Sequence, residues 1–254
     1  MDSRSKHLRR LILRGMRSGK RGHWGSASSL VEILRVLYDD IKKTKDKVIL
    51  SKGHGCLALY AILVDKGLIP IEELDRFCQK DGMLGGHPAP HIPGVECHTG
   101  ALGHGLGIGV GMAIAAKIRK KSCRIFVIVG DGECNEGSIW EAAMSASKYK
   151  LNNLTVIVDR NGLQSAGFTE IIQPMESMKA KWEAFGFNCY ECNGHDVEKL
   201  KSELSVHYQR SLCIIANTVK GYGISYLENN KDKHYLSKLT EEYFTKMETA
   251  LEAA

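Results

Sequence analysis

Three short apolar runs along the chain are typical of fully buried β-strands. They are IFVIV at Ile125–Val129, LTVIV at Leu154–Val158 and LCIIA at Leu212–Ala216. Continuous apolar runs of this length, rich in β-branched residues, indicate strands of a parallel sheet that is covered on both faces. Two weaker candidates are the segment KVILS, which ends at Ser51, and the segment Phe187–Glu191.

Between these runs, apolar residues recur at the three- and four-residue spacing of amphipathic helices. A first helix at the N-terminus places Leu8, Leu11 and Ile12 on one face. The alternation of strands and helices predicts an α/β fold, a doubly wound and mostly parallel sheet with helices on both faces. We expect residues 1–254 to form a single domain. The other predicted helices are Ser26–Asp39, Cys56–Lys66, Ile71–Gln79, Leu106–Lys120, Ser138–Tyr149, Met175–Phe185, Val197–Tyr208 and one from Thr240 onward.

The composition is that of an ordinary globular protein. Of the 254 residues, 43% are hydrophobic and 25% are charged, which excludes collagen-like, coiled-coil and disordered classes. No uncharged apolar run approaches the roughly 20 residues needed to cross a bilayer, so no membrane partner is expected. The basic N-terminus resembles a mitochondrial presequence, but it runs directly into candidate site residues, and we favour an integral helix and a cytoplasmic location.

Neither the charge nor the cysteines point to a nucleic-acid or metal-thiolate function. The net charge of +6 lies in scattered patches such as Lys42–Lys47 and Arg119–Lys121, without the aromatic and arginine residues of a nucleic-acid module. Eight cysteines without framework spacing indicate reduced thiols. The pair Cys189 and Cys192 lies in a predicted strand with no second pair at zinc spacing, so zinc or redox use is disfavoured.

Polar residues follow two consecutive predicted strands. The strand IFVIV is followed by the sequence GDGECNEG at residues 130–137. The strand LTVIV is followed by DRNGL at residues 159–163. Parallel strands joined by a right-handed crossover end at the same edge of a sheet, so the carboxylate of Asp131, the amide oxygen of Asn161 and the carbonyl of Leu163 are within reach of one ion. One carboxylate plus neutral oxygens suits a divalent ion that also binds phosphate oxygens.

Two glycines and a helix strengthen this interpretation. Gly130 and Gly132 allow close approach of the backbone, and the N-terminus of the following helix favours an anion. The sequence therefore predicts a metal-bridged diphosphate site. The alternative is an ordinary strand–turn–helix in which Asp131 only caps the helix, and the position of Asn161 at the end of the next strand argues against it.

The sequence from GDG to the Asn of DRNG resembles the thiamine diphosphate motif. More narrowly, the whole chain resembles the N-terminal, diphosphate-binding half of transketolases. This resemblance implies thiamine diphosphate and Mg²⁺ (or Ca²⁺ or Mn²⁺) as cofactors. The other segments that carry it are SKGHGCLALY, GGHPAP, HTGALGHGLGIGVGMA and KGYGISYLENN.

Histidines in glycine-rich turns are candidates for the reaction itself. Neutral imidazoles in such places donate and accept protons from a polar substrate. The resemblance implies that His54 and His87 are cofactor-side and substrate-side residues, that His23 contacts substrate oxygens, and that His234 is a late substrate contact, although the family's usual His-Gly is absent there. We expect the remaining histidines to be structural or exposed: His7, His91, His98, His104, His195 and His207.

The resemblance assigns further residues to the cofactor and to an interface. Gly100 and Leu102 lie against the cofactor rings, and the family's usual Gln is here His104. Glu136 binds near the cofactor and, with Glu141, lies at a subunit interface; the alternative is that both are acids favoured by a helix N-terminus. A dinucleotide fingerprint in the same glycines is rejected because no buried strand precedes them. The cofactor-binding set is His54, Gly100, Leu102, Gly130, Asp131, Gly132, Glu136, Asn161 and Leu163.

The family's activating glutamate and phosphate-binding arginines lie in a second, pyrimidine-binding domain. We expect that domain on a separate chain, so that this chain is the N-terminal subunit of a split transketolase-like enzyme, in an α2β2 assembly. The reaction implied is transfer of a two-carbon ketol unit from a ketose to an aldose, phosphorylated or not. Alternatives are a 1-deoxyxylulose-5-phosphate synthase-like enzyme, the α subunit of a 2-oxo-acid dehydrogenase, and a catalytically idle interaction module.

Overall fold

A five-stranded parallel sheet forms the centre of the protein in a computed structural model that describes residues 1–254. The strand order is β2-β3-β4-β8-β7, and every neighbouring pair is parallel. All five strands coincide with the runs predicted from the sequence, and the predicted α/β class is confirmed. The strands of this sheet are β2 (Lys47–Leu50), β3 (Ile125–Gly130), β4 (Leu154–Arg160), β7 (Asn188–Asn193) and β8 (Leu212–Asn217).

Helices cover both faces of the sheet, because alternate residues of each strand point to opposite sides. In β3, Phe126 and Ile128 belong to one hydrophobic core, whereas Val127 and Val129 belong to a second core on the other face. No helix combines the length and apolar composition that a membrane span requires. The helices are α1 (Ser3–Gly19), α2 (Trp24–Ser28), α3 (Val31–Val36), α4 (Cys56–Asp65), α5 (His104–Ile118), α6 (Gly137–Lys148), α7 (Thr169–Ile172), α8 (Met178–Ala184), α9 (Val197–Ser205) and α10 (Glu241–Glu252).

Short elements complete the fold around the carboxyl edge of the sheet. A two-residue strand β1 (Arg21–Gly22) pairs with β9 (Leu236–Ser237), and β5 (Leu163–Gln164) pairs with β6 (Gly167–Phe168). The β1–β9 pair joins the segment after α1 to the segment before α10. It therefore brings His23 close to His234. The antiparallel β5–β6 pair follows directly on the end of β4.

Two predicted helices differ from those observed. The segment predicted as one helix over Ser26–Asp39 is divided into α2 and α3, followed by a π-helical turn at Leu37–Ile41. The helix predicted over Ile71–Gln79 is a 3₁₀ helix that ends at Arg76. Leu74 is the only buried residue within this helix, so the segment lacks the apolar stripe that holds an amphipathic α-helix against a core.

Candidate functional site

Asp131 and Asn161 meet at the carboxyl edge of the sheet. Strands β3 and β4 are hydrogen-bonded neighbours, with Gly130 opposite Asp159 in the register. The next residues of each strand therefore lie side by side, and Asp131 and Asn161 line a single cavity of about 430 Å³. We call this the cofactor cavity.

The Asp131 carboxylate is buried, and its hydrogen-bond partners within the chain are backbone N–H groups. It is 3% exposed, and its two oxygens accept hydrogen bonds from the backbone N–H groups of Gly132 (2.8 Å) and Gly162 (2.6 Å). Burial, followed by the negative charge of Asp159, raises the pKa of Asp131 to about 6. A buried carboxylate whose ionised form is disfavoured in this way is stabilised by a cation at the same place.

The other two predicted oxygens belong to Asn161 and Leu163, which line the same cavity. The backbone N–H of Leu163 donates to Asn161 Oδ1 at 3.2 Å, and Asn161 Nδ2 donates to Asp159 Oδ2 at 3.2 Å. The carbonyl oxygen of Leu163 accepts a hydrogen bond of 2.8 Å from Lys220 Nζ. A carbonyl oxygen has two lone pairs, so this contact leaves one for a second partner.

Lys220 also lines the cofactor cavity, and sequence reasoning missed it. It is buried, at 3% exposed, and burial followed by the charge of Lys52 lowers its pKa to about 8. Its aliphatic stem runs over Gly25, where a Cβ atom would come within 2.9 Å of Lys220 Cγ. Lys220 and Lys52 together bring two cationic side chains to the wall of the cofactor cavity. Both residues follow the ends of strands, which is the signal that could have found them.

Lys52 forms a buried ion pair with Asp159 below the cavity floor. Burial alone would raise the pKa of Asp159, but the adjacent Lys52 lowers it below its usual range. Ser29 Oγ donates to the same carboxylate at 2.7 Å, and Thr218 donates to its other oxygen. This network fixes the end of β4, from which Asn161 extends.

Glu133, the second acid of the GDGE sequence, has a structural role that sequence reasoning also missed. Its Oε1 accepts from the Ser51 hydroxyl and from Gly103 N at 2.9 Å, and its Oε2 accepts from Gly130 N at 3.0 Å. Burial raises its pKa above the usual range. Glu133 thus ties the ends of β2 and β3 to the start of α5.

Three of the predicted histidines form one cluster. The ring centre of His23 lies 5.3 Å from those of His54 and His234, and the rings of His54 and His234 are 5.8 Å apart. Burial, followed by neighbouring positive charges, lowers the pKa of His23 and of His234 to about 4 and that of His54 further. These imidazoles are therefore neutral at pH 7. His234 Nδ1 also lies 3.0 Å from Lys220 Nζ.

The fourth histidine and the predicted glycine contacts face the same space. His87, Gly100 and Leu102 line the cofactor cavity with Gly130 and Gly132. Gly100 has φ of +144°, and a Cβ there would lie 3.0 Å from His87 Cδ2, so the backbone passes directly under the imidazole ring. No larger residue fits this contact without displacing His87.

The two predicted interface glutamates occupy different places. Glu136 precedes α6 and lines the cofactor cavity. Glu141 lies on α6 and lines a separate hollow of about 260 Å³ between α5 and α6, together with His104 and Gly107. The structure therefore does not bring the two glutamates into one cavity of this chain.

The residues left out of the site are placed elsewhere. His195 Nδ1 is 2.8 Å from Glu32 Oε2 in a buried network with Arg9, which is a structural role. All eight cysteines are free thiols, and no group of three or more histidine, cysteine or acidic side chains is arranged to hold a metal ion. The candidate donor set is thus one carboxylate, one amide and one carbonyl. With two lysines adjacent, it fits a divalent ion that is bridged to a diphosphate.

Comparisons with known proteins identify the family of this chain. The model of the transketolase thiamine diphosphate binding domain matches residues 2–252. The chain is 41% identical over 255 residues to one subunit of the apulose-4-phosphate transketolase of Phocaeicola vulgatus, covering 96% of this chain and 91% of that one. It is 37% identical over 248 residues to a 6-deoxy-6-sulfo-D-fructose transketolase subunit of Clostridium sp., covering 92% of this chain and 90% of that one.

A solved transketolase has the same fold. The structure from Leishmania mexicana matches with a TM-score of 0.88 and 29% identity, and the match covers 98% of this chain but 40% of that one. The likeness thus extends over nearly the whole of this chain and over less than half of that transketolase. This chain belongs to the transketolase family and corresponds to its thiamine diphosphate-binding domain.

Proposed function

We propose that this chain is the diphosphate- and metal-binding subunit of a split transketolase-like enzyme. The observation that carries the proposal is the convergence of Asp131, Asn161 and Lys220 on one cavity that is also lined by His23, His54 and His234. The names of the two relatives above describe each as one transketolase subunit, which supports a partner chain here. That partner supplies the pyrimidine-binding domain, and the assembly is α2β2.

Each side chain has a task that its surroundings support. Asp131, Asn161 and the Leu163 carbonyl would hold Mg²⁺, with Ca²⁺ or Mn²⁺ as substitutes, and Lys220 would neutralise charge on the diphosphate. Bound thiamine diphosphate supplies the electron sink for cleaving the carbon–carbon bond next to a ketone. Because His23, His54 and His234 are neutral, they donate hydrogen bonds to sugar oxygens and accept protons from sugar hydroxyls, together with His87. Gly100 and Leu102 contact the cofactor rings, and Glu136 lies close to them.

The reaction we propose is transfer of a two-carbon ketol unit from a ketose to an aldose. The transketolase names of the relatives favour it over synthesis of 1-deoxyxylulose 5-phosphate or oxidation of a 2-oxo acid. An idle module is disfavoured because buried Asp131 and Lys220 are costly to retain without a ligand. Eight free thiols fit the reducing cytoplasm as the location.

Cofactor binding is the first test. Calorimetric titration of the chain, with its partner chain present, is expected to show Mg²⁺-dependent binding of thiamine diphosphate. Asp131→Ala and Asn161→Ala should each weaken it at least about tenfold, because each removes an oxygen ligand of a hard cation. Asp81→Asn, an exposed acid outside the cavity, is the control. Equal affinity in Asp131→Ala and wild type would contradict the proposed site.

Turnover is the second test. We expect ketol transfer from xylulose 5-phosphate to ribose 5-phosphate, or to other aldoses, only when the pyrimidine-binding chain from the same genome is added. Thiamine diphosphate-dependent turnover by this chain alone would refute the split enzyme. Binding of the cofactor without any ketol transfer in the complete assembly would favour a different thiamine-dependent reaction.

A further inference from the structure

A second cavity opens beside the cofactor cavity. Its volume is about 420 Å³, and it shares His23, His54 and His87 with the cofactor cavity. The three imidazoles therefore stand between the two spaces. We call the second space the side cavity. A substrate whose reacting end lies at the cofactor passes these imidazoles to reach it.

Most of the side-cavity lining is uncharged, and its surface is mainly apolar, from residues such as Leu57 and Phe77, with a few polar groups among them. His23 and His54 are neutral at pH 7 because burial lowers the pKa of each imidazole. The ring of Tyr235 lies 4.7 Å from that of His23, and the Cys56 thiol donates to the Gly86 carbonyl at 3.2 Å. Neutral donors and acceptors of this kind suit the hydroxyl groups of a sugar chain.

Arg21 is the one permanently charged residue in this lining. Its guanidinium forms neither an ion pair nor a side-chain hydrogen bond within the chain, although most of the other arginines are ion-paired. The backbone of Arg21 is fixed by the pairing of β1 with β9, where it lies opposite Ser237. Its charge is felt at the lining residue Cys78, whose pKa burial raises and Arg21 lowers. An unpaired guanidinium at this position is available to an anion from outside the chain.

We propose that Arg21 is a specificity-determining residue that binds a tetrahedral oxyanion at the end of the sugar substrate, a phosphate or a sulfonate. The proposal rests on the function proposed above and adds to it a cation supplied by this chain. A guanidinium presents paired N–H groups in a fixed plane, which matches two oxygens of such a group.

Binding of an anion to Arg21 can be measured without turnover, from the rate at which the Cys78 thiol is alkylated. The half-buried Cys78 thiol lines the side cavity with Arg21, so an anion held there slows its alkylation by N-ethylmaleimide. The chain is first saturated with Mg²⁺ and thiamine diphosphate, with binding verified, so that the cofactor cavity is closed to phosphate. Labelling of Cys78 is then followed by peptide mass spectrometry with ribose 5-phosphate or ribose.

We expect ribose 5-phosphate to slow labelling of Cys78 at least about threefold, and ribose to have little effect. Arg21→Gln should abolish the protection, and Arg21→Lys should retain part of it because a point charge replaces the planar fork. Arg119→Gln, an exposed arginine without an ion pair, is the matched control. Equal protection of wild type and Arg21→Gln, or equal protection by ribose and ribose 5-phosphate, would overturn the role of Arg21.

Kinetics of the complete assembly separate specificity from a structural role. Hydrogen bonds to charged groups correspond to a change of about ten- to a hundredfold, so Arg21→Gln should raise KM for ribose 5-phosphate by that factor with kcat nearly unchanged. With the donor at saturating concentration, turnover with the neutral acceptor glycolaldehyde should stay at the wild-type value. A loss with both acceptors would refute the assignment, whereas absence of turnover in wild type would instead refute the proposed function.

Discussion

Several charged side chains are buried in this protein, and each is held by a specific set of partners. Arg9 is fully buried, and its guanidinium donates to both carboxylate oxygens of Glu32, at 2.7 and 2.9 Å. His195 Nδ1 lies 2.8 Å from the same carboxylate, and the His195 ring stacks on Tyr222 with centroids 3.8 Å apart. The network joins α1, α3 and the loop before α9 behind the sheet.

Removing the Glu32 charge should destabilise the protein in a pH-dependent way. Burial alone would raise the pKa of Glu32, but His195 and Arg9 lower it to about 2. A lowered folded-state pKa contributes stability that is present near neutral pH and is lost as the pH falls toward 2. We expect Glu32→Gln to lower the free energy of unfolding by about 3 kcal/mol at pH 7 and by less than half as much at pH 3.

Urea unfolding at the two pH values checks this expectation. Glu170→Gln, at an exposed glutamate without an ion pair, serves as the control and should change stability by less than about 0.5 kcal/mol. A Glu32→Gln effect of the same size at both pH values would show that the ionised pair does not carry the stability.

Glu133→Gln tests the connection between β2, β3 and α5. The carboxylate uses both oxygens as acceptors, and a glutamine side chain has only one. If the amide oxygen stays on Ser51 and Gly103, the NH₂ group faces the N–H of Gly130, donor against donor. We expect a loss of about 1–3 kcal/mol in urea unfolding. Glu136→Gln, three residues on and without a side-chain hydrogen bond, should be close to neutral, and equal effects would contradict this role of Glu133.

At the scale of elements, the strands of the sheet are predictable from the sequence and the irregular segments are not. Buried strands are recognisable because both of their faces are apolar, as in IFVIV before Gly130. The prediction of an α-helix over Ile71–Gln79 is wrong because only Leu74 of the observed helix is buried, which is too little packing to stabilise a longer α-helix. Lys52 and Lys220 escape sequence reasoning because hydropathy places lysines at the surface, whereas here tertiary partners compensate their burial.

Two glycines of α5 should respond in opposite directions to the same substitution. A Cβ at Gly109 would lie 2.4 Å from Val127 Cγ2 in the sheet, whereas a Cβ at Gly111 would meet nothing within 4 Å. Gly109→Ala is expected to destabilise the chain by about 1–3 kcal/mol through overpacking. Gly111→Ala should stabilise it by up to about 1 kcal/mol, because alanine restricts the unfolded chain and favours a helix. The free energies of unfolding of both variants are measured in urea. Changes of the same sign would contradict the packing of α5 on β3.

At the scale of the whole molecule, the fold gathers residues that are far apart in the sequence. His23 and His234 come within 5.3 Å because β1 pairs with β9, a contact that no local pattern indicates. Lysines from both basic patches line one cleft at the amino edge of the sheet, namely Lys43, Lys45, Lys120 and Lys121. The meeting of Asp131 and Asn161 is predictable because it depends on consecutive strands. The histidine cluster could be predicted only from the resemblance to transketolases, because it is formed by segments that are distant in the sequence.

Several apolar residues are exposed side by side on α5 and α6. On α5, Gly107, Ile108 and Gly111 are exposed, and Met144 of the neighbouring α6 is 54% exposed. Two glycines four residues apart leave a shallow groove into which a second helix packs closely. Glu141, which we assign to the subunit interface, lines the hollow between these two helices. In the α2β2 assembly proposed above, we expect a second copy of this chain to cover this face.

Met144→Lys should therefore weaken assembly without unfolding the chain. A lysine on an exposed position costs the free chain little, but burial of its unpaired charge at an interface is unfavourable. We expect the dissociation constant between copies of this chain, measured by analytical ultracentrifugation of the complex with its partner, to rise at least about tenfold. Val206→Lys introduces the same charge at a residue that is 48% exposed elsewhere on the surface, and it should leave assembly unchanged. Equal dissociation in the two variants would show that general charge, rather than contact at α5 and α6, controls association.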